Sequence, residues 1–159
     1  MSIDKVKEYL KQWNRDRDVI ELTVSTATVT LAAEALNVIP ARIAKSITLR
    51  DNQGGGMLVV ASGDIRVDNK KFKQQFGFNP KMLTADEALI ATGFAVGGIC
   101  PFALPGTLPV YLDDSLRRFD TVFPACGSSN SMIEVTITDL NEYSRSWGWV
   151  DIGKYAEIS

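Results

Sequence analysis

Lys45 is the first residue whose type and setting suggest chemistry. Ile43, Lys45, Ile47 and Leu49 alternate with Ala44, Ser46 and Thr48, so a strand over 43–50 carries Lys45 on its apolar face. Two readings are open there. The stem can pack on apolar neighbours while the ammonium reaches solvent at the sheet's edge. Alternatively the ammonium enters a pocket lined by Ile43 and Ile47, where its charge is costly unless a phosphate, carboxylate or substrate supplies a partner. Two glycine-rich stretches come next, Gly97-Gly98-Ile99-Cys100-Pro101 and Gly127-Ser128-Ser129-Asn130. Without a Cβ the backbone can come close to a ligand and aim N–H groups at an anionic oxygen. An ordinary turn uses the same residues. Asp64 follows Gly63 at the end of an apolar run, which puts a carboxylate at a strand end, also a common place for a turn former or helix cap.

The absence of histidine restricts the chemistry more than any other count. It removes Ser-His-Asp and Cys-His nucleophilic systems and nearly all catalytic zinc sites. Lysine, carboxylate, hydroxyl, thiol and backbone groups remain. Cys100 and Cys126 do not form a C-x-x-C pair, and no disulfide is expected. Activating either thiol would need a helix N-terminus or Lys45, so both read as small buried residues.

The elements that must position these residues follow from periodicity and punctuation. Asp4–Trp13 reads as an amphipathic helix capped by Ser2 or Asp4, and 19–24 as a short β-branched run. Thr26 or Thr28 caps a second helix through Leu36, stopped by Asn37 and Pro40. Gln53–Gly56 turns the chain into Met57–Ser62, a continuous apolar run that suits a strand covered on both faces. Asp68 or Asn69 opens a helix ending at Gly77, and Thr84-Ala85-Asp86-Glu87 is a capping box for a helix ending at Gly93. Strands are expected at 110–112, 122–125 and 132–137, with a last long helix capped by Thr138. Trp147, Trp149 and Val150 read as a docking patch for the tail. Helices and strands lack the regular alternation of a doubly wound fold, so the expectation is one α+β domain over 1–159 with a curved mixed sheet.

Composition fits that expectation. The chain has 159 residues, 45% hydrophobic and 23% charged, ordinary for one globular domain. A net charge of −2 excludes a global positive field, so contact with a nucleic acid would be local. Arg66, Lys70, Lys71, Lys73 and Lys81 are the basic set that could track a phosphate backbone or form a solvated helix face. No apolar run approaches the ~20 residues that span a bilayer, and 1–10 is charged, so a cytoplasmic chain without a membrane partner is expected. With no heptad or apolar stripe, a monomer is expected.

An ordered series of residues resembles the YbaK/prolyl-tRNA editing family, the freestanding relatives of the insertion domain of some prolyl-tRNA synthetases. The series is Ala32-Ala33-Glu34-Ala35-Leu36, Ile43-Ala44-Lys45-Ser46, Ser62-Gly63-Asp64 with Arg66-Val67-Asp68, Gly97-Gly98-Ile99-Cys100-Pro101-Phe102, Pro109-Val110-Tyr111-Leu112-Asp113 and Gly127-Ser128. The resemblance implies the barrel-like α+β fold of that family and deacylation of mischarged tRNA, most simply tRNA-Pro carrying a small wrong amino acid. It implies catalytic roles for Lys45, holding the 3′-terminal nucleotide, and for Gly97, Gly98 and Pro101, at the aminoacyl ester. Ser46, Asp64, Ile99, Cys100, Phe102, Gly127, Ser128 and Ser129 are the implied substrate-binding residues. Neither metal nor other cofactor is implied. The ribose hydroxyl and backbone groups would position a water for attack, and loop N–H groups would stabilise the oxyanion, since an activated ester needs positioning more than a strong base. The implied partner is the acceptor end of aminoacyl-tRNA, with a prolyl-tRNA synthetase or an elongation factor as a transient one. Ala103 stands where the family usually has glycine, which keeps a second reading open: a catalytically silent module that binds tRNA, a nucleotide or a synthetase. The 24–28 segment is expected to border the amino-acid pocket.

Overall fold

The computed structural model describes residues 2–156. In chain order its elements are α1 (Ser2–Leu10), β1 (Ile20–Glu21), α2 (Val29–Leu36), β2 (Ile43–Arg50), β3 (Gly56–Ser62), β4 (Ile65–Val67), α3 (Asn69–Phe76), α4 (Ala85–Thr92), β5 (Val110–Asp113), β6 (Thr121–Pro124), β7 (Ser131–Met132), β8 (Val135–Thr136), α5 (Ile137–Tyr143), β9 (Gly148–Val150) and β10 (Gly153–Tyr155).

The β2–β3 hairpin is the centre. Its antiparallel register runs from Ala44 opposite Ser62 to Arg50 opposite Gly56. Asp51 fixes the turn, its Oδ1 accepting from the N–H groups of Gln53 and Gly55, each at 2.8 Å. Around the hairpin a six-stranded mixed sheet has the order β8-β6-β2-β3-β5-β9 and curls into a half-barrel. The β2–β6, β3–β5 and β5–β9 pairs are parallel. β1–β7 and β10–β4 form separate two-stranded ribbons.

Period-2 alternation splits the hairpin between two apolar layers. Ala44, Leu58 and Val60 face an inner core with Val6 and Leu10 of α1, Phe102, Leu112 and Leu140. Ile47, Leu49, Met57, Val59 and Ala61 face outward beneath Phe72 of α3, with Ile65 and Ile152. Ile43 joins Phe123 and Met132 beneath Ala32 and Ala33 of α2. A strand covered on both sides has no polar face to show, which is why β3 is a continuous apolar run.

The local signals locate most helix ends. Thr28 caps α2, its Oγ1 accepting from the Leu31 N–H at 3.2 Å, and Asn37 closes the helix at φ 54°. Asp68 caps α3, and Thr84 with Glu87 forms the capping box of α4.

Several expectations are corrected. α1 covers Ser2–Leu10 and tightens into a 3₁₀ turn over Lys11–Trp13, so Ser2 and Asp4 lie inside the helix and neither precedes it as a cap. Only Ile20–Glu21 of the 19–24 run is strand. The segment 132–137 breaks into β7, which pairs β1, and β8, which pairs β6. α5 is a seven-residue helix capped by Thr136, whose Oγ1 accepts from the Asp139 N–H at 3.1 Å. The chain leaves β8 with Thr136 extended (ψ 162°), the geometry a cap needs, and Thr138 is already in the first turn. Trp149 and Val150 belong to β9 in the main sheet, not to a patch for the tail, and the Arg117 guanidinium stacks 4.0 Å from the Trp149 ring.

Candidate functional site

β2 carries Lys45 on the outer face, between two clusters. Ile43 is held by α2 and Ile47 by α3, and Lys45 falls in the gap between these two helices' footprints. It is half-buried and makes no hydrogen bond or ion pair among the described residues. Burial lowers its pKa from the ordinary lysine value, and the charge of Asp64 offsets this in part.

No ion pair joins Asp64 to Lys45 among the described residues, and the carboxylate is held by Arg118. The two Asp64 carboxylate oxygens accept from Arg118 Nη1 and Nη2 at 3.0 and 2.7 Å, a bidentate fork. The cation-holding geometry is thus complete for Arg118 and incomplete for Lys45. Arg118 carries no periodic or motif signal, so its role was not legible from sequence.

The loops gather in a second group. The Thr26 N–H donates to the Ser129 carbonyl at 2.6 Å, and Leu22 exchanges bonds with Asn130 through its N–H at 2.9 Å and its carbonyl at 2.8 Å. Ser128 Oγ lies 2.9 Å from Asn130 Oδ1 and 2.6 Å from Ser131 Oγ, which fixes the turn. Gly97 has φ +97°, and a Cβ there would lie 3.3 Å from Ala27 Cβ and 3.7 Å from Ser129 Cβ. Gly98 packs tighter still, because a Cβ would sit 2.9 Å from backbone atoms of Gly127 and Ser128. Segments 24–28, 97–101 and 127–130 therefore meet, with Gly97, Gly98, Gly127, Ser128 and Ser129 together.

The segment 27–29 joins the two groups. Ala27 abuts Gly97, while Val29 Cγ1 and the Pro40 carbonyl crowd the place of a Cβ on Gly63, next to Asp64. Two clefts lie elsewhere. One of about 500 Å³ is lined by Arg50, Gly54–Gly56, Glu87 and Leu108, and one of about 400 Å³ by Arg42, Arg118, Phe119, Asp120 and Thr121. Neither contains Lys45 or the 97–102 loop. The second touches the Lys45 neighbourhood through Arg118.

Some proposed contacts are redirected by strand and loop geometry. Ser46 shares the inner face with Ala44 and Val60, opposite to Lys45, so its side chain cannot share the outer gap. Its Oγ and that of Ser62, diagonal on the same face, are both buried without a hydrogen-bond partner. Cys100 and Phe102 are fully buried as whole residues and Pro101 is buried too, so within 97–102 only Gly97 and Ile99 are partly exposed. Burial pushes the Cys100 thiol up to about 12 and raises Cys126 as well, so neither supplies a thiolate near neutrality. Ile99 is half-buried against the core.

A curled mixed half-barrel sheet with helices on it is the architecture of the editing-domain structures. The chain belongs to the aminoacyl-tRNA editing domain family, whose model matches residues 23–143. It is similar to a solved structure described as a candidate trans-editing enzyme for prolyl tRNA synthetase, at 28% identity and TM-score 0.85 over 96% of this chain and 97% of that one. A second solved structure, of hypothetical protein APE2540, matches at 28% identity and TM-score 0.80 over 92% and 99%. Among curated relatives, the uncharacterised Bacillus subtilis (strain 168) protein YwhH is 50% identical over 97% of this chain and 98% of its own. EbsC of Enterococcus faecalis (strain ATCC 700802 / V583), named as a candidate Cys-tRNA(Pro)/Cys-tRNA(Cys) deacylase, is 28% identical over 96% of this chain and 84% of its own. No described helix is long and apolar enough to cross a membrane.

Proposed function

We propose that this protein is a trans-editing hydrolase that removes a small, wrongly attached amino acid from tRNA, with tRNA-Pro as the first substrate to try. The observation that carries the reading is Lys45, a half-buried ammonium whose neighbouring carboxylate is already spent on Arg118. Such a cation has electrostatic demand left for an anionic ligand, and the phosphate of a 3′-terminal nucleotide answers it. Family membership and the name of EbsC support the same substrate class.

In this mechanism Lys45 anchors the terminal nucleotide and the 97–101 loop lies along the ester. A water held by the terminal ribose hydroxyl and backbone groups adds to the ester carbonyl. The tetrahedral oxyanion takes N–H bonds from the loop, then expels the ribose oxygen, which leaves protonated, and the free amino acid departs. Removing one oxyanion donor from such a site costs ~10²–10³ in rate. The buried thiols take no part. Selectivity among alanine, cysteine, serine and threonine, worth only ~1–3 kcal/mol per methylene or hydroxyl, would come from side chains bordering 24–28.

The test is release of labelled amino acid from tRNA-Pro charged separately with alanine, cysteine, serine, threonine and proline. Selective release by the wild type that falls at least about a hundredfold in Lys45→Ala is the expected outcome. Binding of tRNA with no release above the uncatalysed rate from any of the five would favour a silent binding module.

A further inference from the structure

A group of cations without ion pairs gathers on one ribbon and the helix beside it. Many other bases are tied down, Arg15 to Asp18 and Asp139, Arg42 to Glu134, Arg50 to Glu87, Lys71 to Asp151 and Arg118 to Asp64, while Arg17, Lys45 and Lys81 lie outside this group and also make no ion pair among the described residues. Arg66 and Lys154 make no ion pair among the described residues, although they stand directly opposite each other in the β4–β10 register and are both exposed. Like charges facing across an antiparallel pair are destabilising. Their alternate neighbours Ile65 and Val67 turn toward the core, so both cations point to solvent on the same side. Asp68, the acid that feels Lys154, uses its carboxylate on the Lys71 N–H at the start of α3. The same helix adds exposed Lys70 and Lys73, again without ion pairs among the described residues.

The ribbon starts at the edge of the Lys45 site. Arg66 lies two residues, about 7 Å of strand, beyond Asp64. The Ala156 N–H closes the other strand onto the Asp64 carbonyl at 3.0 Å, and the Arg118 guanidinium that holds Asp64 also lies over the exposed Tyr155 ring at 5.4 Å.

We infer that the β4–β10 ribbon, through Arg66 and Lys154 with Lys70 of α3, is the surface that binds the phosphate backbone of the tRNA acceptor arm. This rests on the editing reading and extends it from the terminal nucleotide to the polynucleotide. A repeating line of phosphates is the partner that turns two facing cations into an asset, and a chain of net charge −2 can direct it only through a local strip. Lys71 and Lys81 are left out of the assignment. Lys71 is held by Asp151 and the Gly153 carbonyl, and Lys81 lies across the sheet beside Arg50.

The experiment measures binding of uncharged tRNA by fluorescence anisotropy across a salt series, and hydrolysis of aminoacyl-tRNA and of 3′-aminoacyl-adenosine, which has no phosphodiester. Proteins are the wild type, Arg66→Ala/Lys154→Ala, Lys70→Glu, and Lys11→Ala as a control on α1, each checked for an unchanged melting curve. The double variant should bind tRNA roughly tenfold more weakly at low salt, with the slope of log Kobs against log[salt] reduced by about 1.5–2. Its KM for aminoacyl-tRNA should rise with kcat unchanged, its turnover of aminoacyl-adenosine should equal wild type, and Lys70→Glu should weaken binding in the same direction. An unchanged salt slope and KM in the double variant would overturn the assignment even with wild-type hydrolysis intact. Wild-type binding to anionic phospholipid vesicles without binding to tRNA would also overturn it. Failure of the wild type to hydrolyse either ester, with tRNA binding and its loss in the double variant retained, would sink the editing reading and leave the surface standing.

Discussion

Lys45 shows how one residue can be a cost to the fold and an asset to a ligand. Its ammonium is desolvated between the footprints of α2 and α3, and the carboxylate beside it is committed to Arg118. The sign of the resulting pH dependence follows directly. Burial lowers the folded-state pKa below the unfolded value of about 10.5, so between those two values the folded protein binds fewer protons than the unfolded chain and stability rises with pH. Below the folded-state pKa the whole penalty is present, and above about 10.5 it has vanished. Lys45→Met should therefore melt above wild type at pH 7, with the gap narrowing as pH climbs toward 10.5. A variant melting below wild type at pH 7 would mean that attraction to Asp64 outweighs desolvation. The lysine itself was legible, because alternation alone puts it on an apolar face. Arg118, which makes it available, was not, since nothing in 113–120 shows that this guanidinium will meet a carboxylate at a distant strand end.

At the scale of elements, the 97–103 loop accounts for Ala103, where the resemblance leads one to expect glycine. Ala103 sits at φ 54°, in the left-handed region where glycine is unstrained and an L side chain costs roughly 1–2 kcal/mol. The backbone thus keeps a glycine-like conformation at Ala103, with its methyl packed against the inner core. Ala103→Gly should relieve that strain while adding ~0.4–1 kcal/mol of unfolded-state entropy and losing up to ~0.8 kcal/mol of methyl burial, a net gain of up to about 1 kcal/mol. For a domain of this size the melting temperature should rise by roughly 1–3 °C. Deacylation should be unaltered, and calorimetry with single-turnover assays checks both. A silent loop repaired by glycine would instead appear as activity gained. Helix boundaries were readable because caps are local: Thr28, Asp68 and the Thr84–Glu87 box each act within four residues. β4, β9 and β10 were not, because three-residue strands carry too little pattern and exist only through partners tens of residues away. The 132–137 segment misleads for the same reason, its single apolar stretch serving two different ribbons.

Across the whole molecule, the half-barrel and the two small ribbons differ in how they are held. β2 and β3 pair over seven positions and are buried on both faces, and β3 also carries β5 in parallel. The parallel β3–β5 and β5–β9 pairs were not legible, since nothing in the sequence specifies which distant strands become neighbours. β1–β7 pairs over two positions and β4–β10 over three, with exposed residues in each, Glu21 in the first and Arg66, Lys154 and Tyr155 in the second. Amides buried in the central sheet open only with global unfolding, while short solvated ribbons open locally at lower cost. Native-state hydrogen exchange should thus place Leu58, Val59, Val60 and Leu112 in the slowest class and those of Arg66 and Lys154 in a much faster one. Charge repulsion between Arg66 and Lys154 should make the ribbon's opening easier at low salt. Adding salt, or tRNA if this ribbon holds the acceptor arm, should then slow exchange in β4 and β10 while leaving β3 unchanged. Uniform exchange across sheet and ribbon would instead show that the molecule opens as one cooperative unit, with the basic strip no looser than the core it rests on.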